Sequence, residues 1–380
     1  MILSKDDPEY RQCRMSVMDN IADPNISFDE TGVCNYYYEY KEAEKKFVLK
    51  GDHANAKLSE VVGELKDNGK KKKYDCMLGV SGGVDSTYLA WTAKQLGLRV
   101  LCVHFDNGWD SELAVKNIEN IVSRCGFDLY TYVIDWEEFR DIQLAYFKAN
   151  VIDIEAVNDI AIFLSLDKIC AEYDLKYILD GRNIVTEQTL PYAWLNKDIG
   201  NMLNIHKKFG TRPLKTFPVI GRWTRNVHAI KRSYKTVTLL NYVNYDKKRA
   251  KEVIKKELDW KDYGGKHYES IFTRFYQGYI LPIKFKVDKR KAHLSNLIFS
   301  GQITKPEALE ELAKPIYPPE QLAIDKPFVL KKLGFSETEF DKYLNTPGTD
   351  HAIYGTSKTL TEEYPILKVF RPIKNLLTKH

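Results

Sequence analysis

The sequence predicts an α/β protein with a doubly wound parallel sheet, an N-terminal extension before it and a mainly helical C-terminal region after it. Three observations predict this. Short apolar runs alternate with amphipathic stretches between residues 74 and 180, as in βαβ units whose helices cover both faces of a sheet. A glycine-rich loop, Gly79-Val80-Ser81-Gly82-Gly83-Val84-Asp85-Ser86-Thr87-Tyr88, directly follows the first apolar run. Polar loops, Asp106-Asn107-Gly108-Trp109 and Asp180-Gly181-Arg182-Asn183, follow the second and fourth runs, and ligands of open parallel sheets bind beyond the carboxyl ends of the strands.

Residues 74–80 read as the first strand and 99–105 as the second, both short and apolar enough to be buried. Between them Val84, Tyr88 and Trp91, with Leu89, Ala93 and Leu96, give a helix a wide apolar stripe. Ile118, Ile121, Val122 and Cys125 mark a second helix. Residues 129–134 read as a third strand, 156–172 as a helix and 176–180 as a fourth strand. The pattern weakens from Thr186 to Ser233, and residues 234–243 are expected to add a further strand. Beyond Arg249 the chain reads as helices and loops, broken by Pro315, Pro318 and Pro319. The expected organisation is an extension over 1–70, a sheet domain over 71–248 and a substrate-facing region over 249–380.

With 380 residues, 44% of them apolar, the composition is that of an ordinary globular protein. A net charge of +5 is mild, and basic runs such as Lys70 to Lys73 alternate with acidic ones. No nucleic-acid partner is therefore expected, while a modest basic pocket for a nucleotide or nucleotide sugar remains compatible. The N-terminal residues lack the apolar core of a signal peptide, and no run approaches the ~20 apolar residues needed to span a bilayer. No membrane anchor is expected. The six scattered cysteines read as reduced core thiols, which suits the cytoplasm.

The chemistry lies in the loop after the first strand. Glycines let the backbone approach an anion, the amides of a helix start can grip it, and Ser81, Ser86 and Thr87 add hydroxyl donors. No lysine follows the glycines, so this is not the loop used for γ-phosphoryl transfer. Ser81-Gly82-Gly83-Val84-Asp85-Ser86-Thr87 resembles the signature of the PP-loop ATP pyrophosphatases, of adenine nucleotide alpha hydrolase-like fold, which retain the departing pyrophosphate and transfer AMP to a substrate oxygen.

Four further segments, Pro24 to Asn35, Phe105 to Asp110, Tyr263 to Ser270 and Asp288 to Ser295, resemble those of N-acetyl sugar amidotransferases of the WbpG and PseA type. The similarity covers nearly the whole length. It implies conversion of a sugar acetamido group to an acetamidino group for lipopolysaccharide O-antigen or related glycan synthesis, using ATP, magnesium and ammonia. It also implies site roles: Ser81, Gly82, Gly83, Ser86 and Thr87 for pyrophosphate, and Asp85 for magnesium or for positioning the loop. Asp106 and Gly181 are candidates at the nucleotide. Lys266, Lys289 and Arg290 are candidates for neutralising the triphosphate, and Glu187 for magnesium or for taking a proton from ammonium. Asn107, Trp109, His267 and Arg274 are candidates for the sugar substrate. Taken singly, each basic residue reads equally well as a surface charge, Glu187 as a helix-start carboxylate and Trp109 as a packed aromatic.

Relatives carry two Cys-x-x-Cys pairs near the N-terminus, a zinc-knuckle spacing. Here Cys13-Arg14-Met15-Ser16 and Cys34-Asn35-Tyr36-Tyr37 keep half of the thiolates, so no zinc is expected. No glutaminase-like region is evident, which implies a separate glutaminase partner and, in the complex, a possible cyclase-like companion. The chief rival reading is a tRNA-modifying PP-loop enzyme that thiolates or aminates a base, and it predicts salt-dependent tRNA binding. A catalytically silent scaffold is the third, and the intact Ser-Gly-Gly-x-Asp-Ser argues against it.

Overall fold

The computed structural model describes residues 6–218, 234–265 and 268–356. Its centre is a five-stranded, all-parallel sheet of β1 (Cys76–Gly79), β2 (Val100–Asp106), β3 (Asp128–Val133), β4 (Tyr177–Leu179) and β5 (Lys235–Val237), in the order β3-β2-β1-β4-β5. The chain winds outward from β1 through β2 to β3, then crosses to the other side of β1 for β4. The doubly wound α/β expectation is thus met, and the crevice where the winding reverses lies between the ends of β1 and β4.

The alternation of side chains along the strands explains the two layers of helices. Cys76, Leu78, Val100 and Cys102 pack with Leu89 and Ala93 of α3 (Val84–Gln95) and with Ile118 and Ile121 of α4 (Glu112–Cys125). Their neighbours Met77, Leu101, Val103 and Ile178 face the opposite layer, where Ile169 and Cys170 of α6 (Ala156–Glu172) cover them. Burial on both faces is why these strands read as unbroken apolar runs.

Capping sets the helix ends. Ser111 accepts a hydrogen bond from the Ala114 N–H at 3.2 Å to start α4, and Gly126, at φ 70°, ends it in the left-handed region. The strand expected over 234–243 is shorter. It stops at Val237 because the chain turns through a 3₁₀ segment, Leu239–Asn241, which brings Asn241 under two neighbouring loops. The Asn241 side-chain oxygen accepts from the Ile184 N–H at 2.9 Å and its carbonyl from the Leu49 N–H at 3.0 Å.

Two helices, α1 (Asn35–Phe47) and α2 (Gly51–Gly69), precede the sheet. A further helix, α5 (Trp136–Ala149), lies between β3 and α6. Apolar packing crosses both expected boundaries. One cluster joins Cys13, Met18, Cys34 and Tyr40 to Phe139, Ile142 and Tyr146 of α5 and to Phe272, Phe275, Leu330 and Phe340 downstream. The C-terminal region is mainly helical, as expected, and includes a π-helical stretch at Tyr276–Phe285 around Pro282. Among the described residues, no helix is long and apolar enough to cross a membrane.

Candidate nucleotide site

The glycine-rich loop crosses from β1 to α3 at the crevice. Gly82 sits at φ +76°, and a Cβ there would lie 2.8 Å from the Ala114 carbonyl oxygen, so the position requires glycine. Gly83 is the N-cap of α3, with no side-chain cap bond. By contrast, α4 is capped by Ser111 and α5 by Asp135. An uncapped helix start within a glycine loop presents amide donors and the positive end of the dipole to an anion. A Cβ on Gly83 would occupy that cradle, 3.1 Å from Ser81 Oγ and 3.3 Å from the Tyr263 hydroxyl. The residues therefore fit a bound phosphate chain.

The loop's own hydroxyls divide into two kinds. Ser81 and Ser86 face each other, Oγ to Oγ, at 3.3 Å, and the Gly83 N–H donates to Ser81 Oγ at 3.2 Å. Thr87 is fully buried, and its hydroxyl donates to the Gly83 carbonyl at 2.6 Å, so it braces the loop from inside instead of facing an anion. Asp85, on the first turn of α3, accepts from the hydroxyl of Tyr245. Burial, then the charge of Asp85, pushes the Tyr245 phenol well above its ordinary range, so it stays a donor. Asp85 is an oxygen donor of the type magnesium takes.

Downstream residues close over this loop. Trp260 Nε1 donates to the Gly82 carbonyl at 2.8 Å, and Asn117 of α4 exchanges hydrogen bonds with the Lys261 backbone at 2.8 and 2.9 Å. The Tyr263 hydroxyl lies beside Gly83, and burial raises the pKa of its phenol. Beyond the glycines, Ser111 N–H donates to the Glu269 carbonyl at 2.9 Å and Ile271 N–H to the Trp109 carbonyl at 2.8 Å, around a bridge between Asp110 and Ser270. The described residues of this strap are thus anchored on both sides of the loop, at 260–261 and at 269–271. Lys266 and His267 lie outside the described residues.

A Cβ on Gly181 would meet the Ser86 amide nitrogen at 3.3 Å, so the glycine lets the β4 loop press on the first turn of α3, beside the phosphate loop. Asp106 folds its own turn, accepting from the Gly108 N–H at 2.8 Å. Asn107 is buried, donates to Asn158 at 2.7 Å and accepts from the Trp109 N–H at 3.0 Å. Glu187 lies at the end of α7 (Ile184–Glu187), which Asn183 caps just after β4.

Three sugar or phosphate candidates are engaged elsewhere. Trp109 is 1% exposed; it packs on Trp136 and Phe272 with centroids at 5.3 and 5.2 Å, and its Nε1 donates to Gln143. It is a core aromatic and not a sugar platform. Arg274 grips Asp325 bidentately at 2.6 and 2.7 Å, and Tyr317 donates to the same carboxylate. Arg290 grips Asp288 and caps three carbonyls at the end of the helix Lys305–Ala313 region, those of Glu311, Leu312 and Lys314. Both guanidiniums are neutralised by these partners, which removes the free cation that the expectation required. Lys289 is less committed, 3.6 Å from Glu155.

His104 and Asp110 carry no sequence signal beyond membership of the Phe105–Asp110 neighbourhood. His104 Nε2 lies 3.1 Å from Asp110 and Nδ1 lies 3.3 Å from the Val80 carbonyl, one residue before Ser81. A cavity of about 420 Å³, lined by residues including His104, Asp106, Asp110, Val115, Glu119 and Thr131, opens beside them. Tyr245 and Trp260 were equally unmarked, while Tyr263 opened one of the segments that carry the family resemblance without a role of its own.

At the N-terminus, Cys13 and Cys34 are both buried, and the Cys34 N–H donates to Cys13 Sγ at 3.2 Å. The Cys34 thiol, Ser16 and nearby amides pull the Cys13 thiol down, and that same bond and burial push Cys34 up. Among the described residues, no group of three or more His, Cys, Asp or Glu is placed to hold a metal ion.

Comparisons with known proteins agree with the family resemblance. Residues 269–368 match the family described as "LPS biosynthesis protein WbpG-like, C-terminal domain". The tRNA(Ile)-lysidine synthase of Chlamydia pneumoniae is 37% identical over 76 residues, 20% of this chain and 23% of that protein. The match therefore spans less than a quarter of that curated relative. The NMN synthetase of Francisella tularensis aligns over 59% of this chain and 92% of its own at 10% identity, with a TM-score of 0.29, too slight a likeness to carry an argument.

Proposed function

We propose that this PP-loop chain, whose residues 269–368 match a WbpG-like C-terminal domain, is an ATP-dependent amidotransferase acting on an N-acetylated sugar. The carrying observation is the uncapped start of α3 inside a glycine loop, joined to that domain by a strap. An amide carbonyl is a poor electrophile, so its oxygen attacks the α-phosphorus of ATP and the bond to pyrophosphate breaks. Ammonia then adds to the activated carbon, a proton passes to a nearby base, and AMP leaves with the former amide oxygen, giving an acetamidino group.

In this reading the amides around Gly83 and the hydroxyls of Ser81 and Ser86 take up the charge that develops on pyrophosphate. Asp85, held by Tyr245, would ligate magnesium, which when bound supplies charge neutralisation on the phosphates. Lys289 and Lys266 are the candidate cations on the departing group, and Glu187 the candidate base. Gln277, which donates to Glu155 at 2.7 Å, shares that carboxylate with Lys289. A separate glutaminase would supply the ammonia.

The test supplies ATP, magnesium, ammonium and UDP-linked N-acetyl sugars with oxygen-18 in the acetamido carbonyl. The label is expected in AMP; release of ADP, or of unlabelled AMP, would overturn the route. The Chlamydia pneumoniae match favours one second reading, a tRNA-modifying enzyme. That reading requires tRNA binding that weakens steeply with salt.

A further inference from the structure

We propose that His104 is a positioning residue of the phosphate loop: as an imidazolium it ties the Val80 carbonyl to Asp110, and so aligns the loop with the segment that opens the C-terminal domain. This deepens the proposed function and rests on the loop's role in holding pyrophosphate.

The donor inventory sets the protonation state. A backbone carbonyl only accepts, so Nδ1, 3.3 Å from the Val80 oxygen, must carry a hydrogen. A neutral ring would then point a bare Nε2 lone pair at the Asp110 carboxylate, 3.1 Å away, and two acceptors would face each other. A proton belongs between them, and an imidazole is the more basic of the two groups. Burial alone would lower the His104 pKa, but the bond to Asp110 and its charge outweigh burial and hold it above its ordinary value.

The bond has a mechanical consequence. The Val80 N–H donates to the Val103 carbonyl at 2.9 Å, so the peptide leading into Ser81 is pinned on one side by the sheet and on the other by His104. Asp110 is in turn paired through its backbone with Ser270. The chain of contacts runs from the loop entrance through His104 and Asp110 to the first residues of the WbpG-like domain. The other charged groups around the pair are Asp106 at the end of β2, Glu119 on α4 and Lys332, which reaches the Gly108 carbonyl from the C-terminal region. Two carboxylates against one lysine favour the cationic ring.

Because the tie needs the proton, it is present at neutral pH and lost as pH rises through the raised pKa of His104. Asp110→Asn separates charge from contact. Its amide donates to the neutral Nε2 while Nδ1 still donates to Val80, so the tie survives without the proton. The probe is magnesium pyrophosphate, titrated calorimetrically into the full chain at pH 7 and about pH 9, with ring-nitrogen NMR on histidine-labelled protein.

Wild type is expected to keep both ring nitrogens of His104 protonated at pH 7 and to lose about tenfold in pyrophosphate affinity by about pH 9, as for one charge-assisted hydrogen bond. Asp110→Asn should match wild type at pH 7 and hold that affinity at about pH 9; His104→Gln, which cannot span both partners, should be weak at both. A neutral His104 ring at pH 7, or parallel loss in wild type and Asp110→Asn, overturns the proposal. Failure of oxygen-18 to reach AMP would sink the amidotransferase reading and leave this measurement to decide the role of His104.

Discussion

Replacing Gly82 by alanine tests whether the loop's shape is fixed by its packing on α4. The residue sits at φ +76°, a conformation that costs an L-residue about 1–2 kcal/mol. The added Cβ would lie 2.8 Å from the Ala114 carbonyl and 3.3 Å from the Ala114 Cα, both backbone atoms that no rotamer change can move aside. Overpacking of this kind costs about 1–3 kcal/mol. The two terms sum to about 2–5 kcal/mol, and at roughly 2 °C per kcal/mol for a large chain the melting temperature should fall by about 4–10 °C. If the loop shifts to relieve the clash, the amides around Gly83 move with it. ATP consumption should then drop by about 10²-fold. Gly63→Ala is the control: it lies inside α2 with nothing within 4 Å of the new Cβ, and should stabilise by about 1 kcal/mol. The assays are differential scanning calorimetry and AMP release. A Gly82→Ala variant that melts with wild type and turns over ATP normally would refute both the strain and the close approach.

Tyr245→Phe removes the hydroxyl that Asp85 accepts from, so half-maximal ATP turnover should need several-fold more magnesium while the fold is retained; an unchanged magnesium dependence removes Tyr245 from the site. Arg274→Lys replaces a bidentate grip on the buried Asp325 by a single donor, and should cost about 1–3 kcal/mol by denaturant melting with little change in substrate KM, whereas a large KM effect on a stable protein would restore the substrate role. Asp153 is buried, and burial, only partly opposed by Lys289 and the Asn196 N–H, lifts its carboxyl to about 7. The folded state therefore retains a proton that the unfolded chain releases near pH 4. This contribution is complete below about pH 4 and is lost as pH rises through about 7. Asp153→Asn should flatten the fall in melting temperature between about pH 4 and 7, and an unaltered slope would show that another group governs it.

Strands β1, β2 and β4 were readable because burial on both faces leaves unbroken apolar runs, and because Ser111, Gly126 and the glycine loop punctuate them. Helix α5 was not readable for the opposite reason. It buries polar groups: Glu138 accepts from the amides of Lys215, Thr216 and Phe217 at 2.8–3.1 Å, and Asp141 accepts from those of Thr211 and Arg212. Those carboxylates interrupt the apolar stripe that would have marked the helix. The same limit applied at the site. The loop could be read from a local motif, but Trp260 and Tyr263 reach it from far along the chain. Arg274 looked available because its partner Asp325 lies outside its own segment; Arg290 is neutralised by Asp288, two residues away, and its other partners, the carbonyls near Glu311, are distant.

The bond from Trp260 to Gly82 joins residues 178 positions apart. During synthesis, the sheet strands through β4 therefore emerge well before the indole that caps this carbonyl. A nascent chain stalled before Trp260 would carry a grip without its roof, and competence to retain pyrophosphate should arrive late in translation, as a single step, when the strap docks.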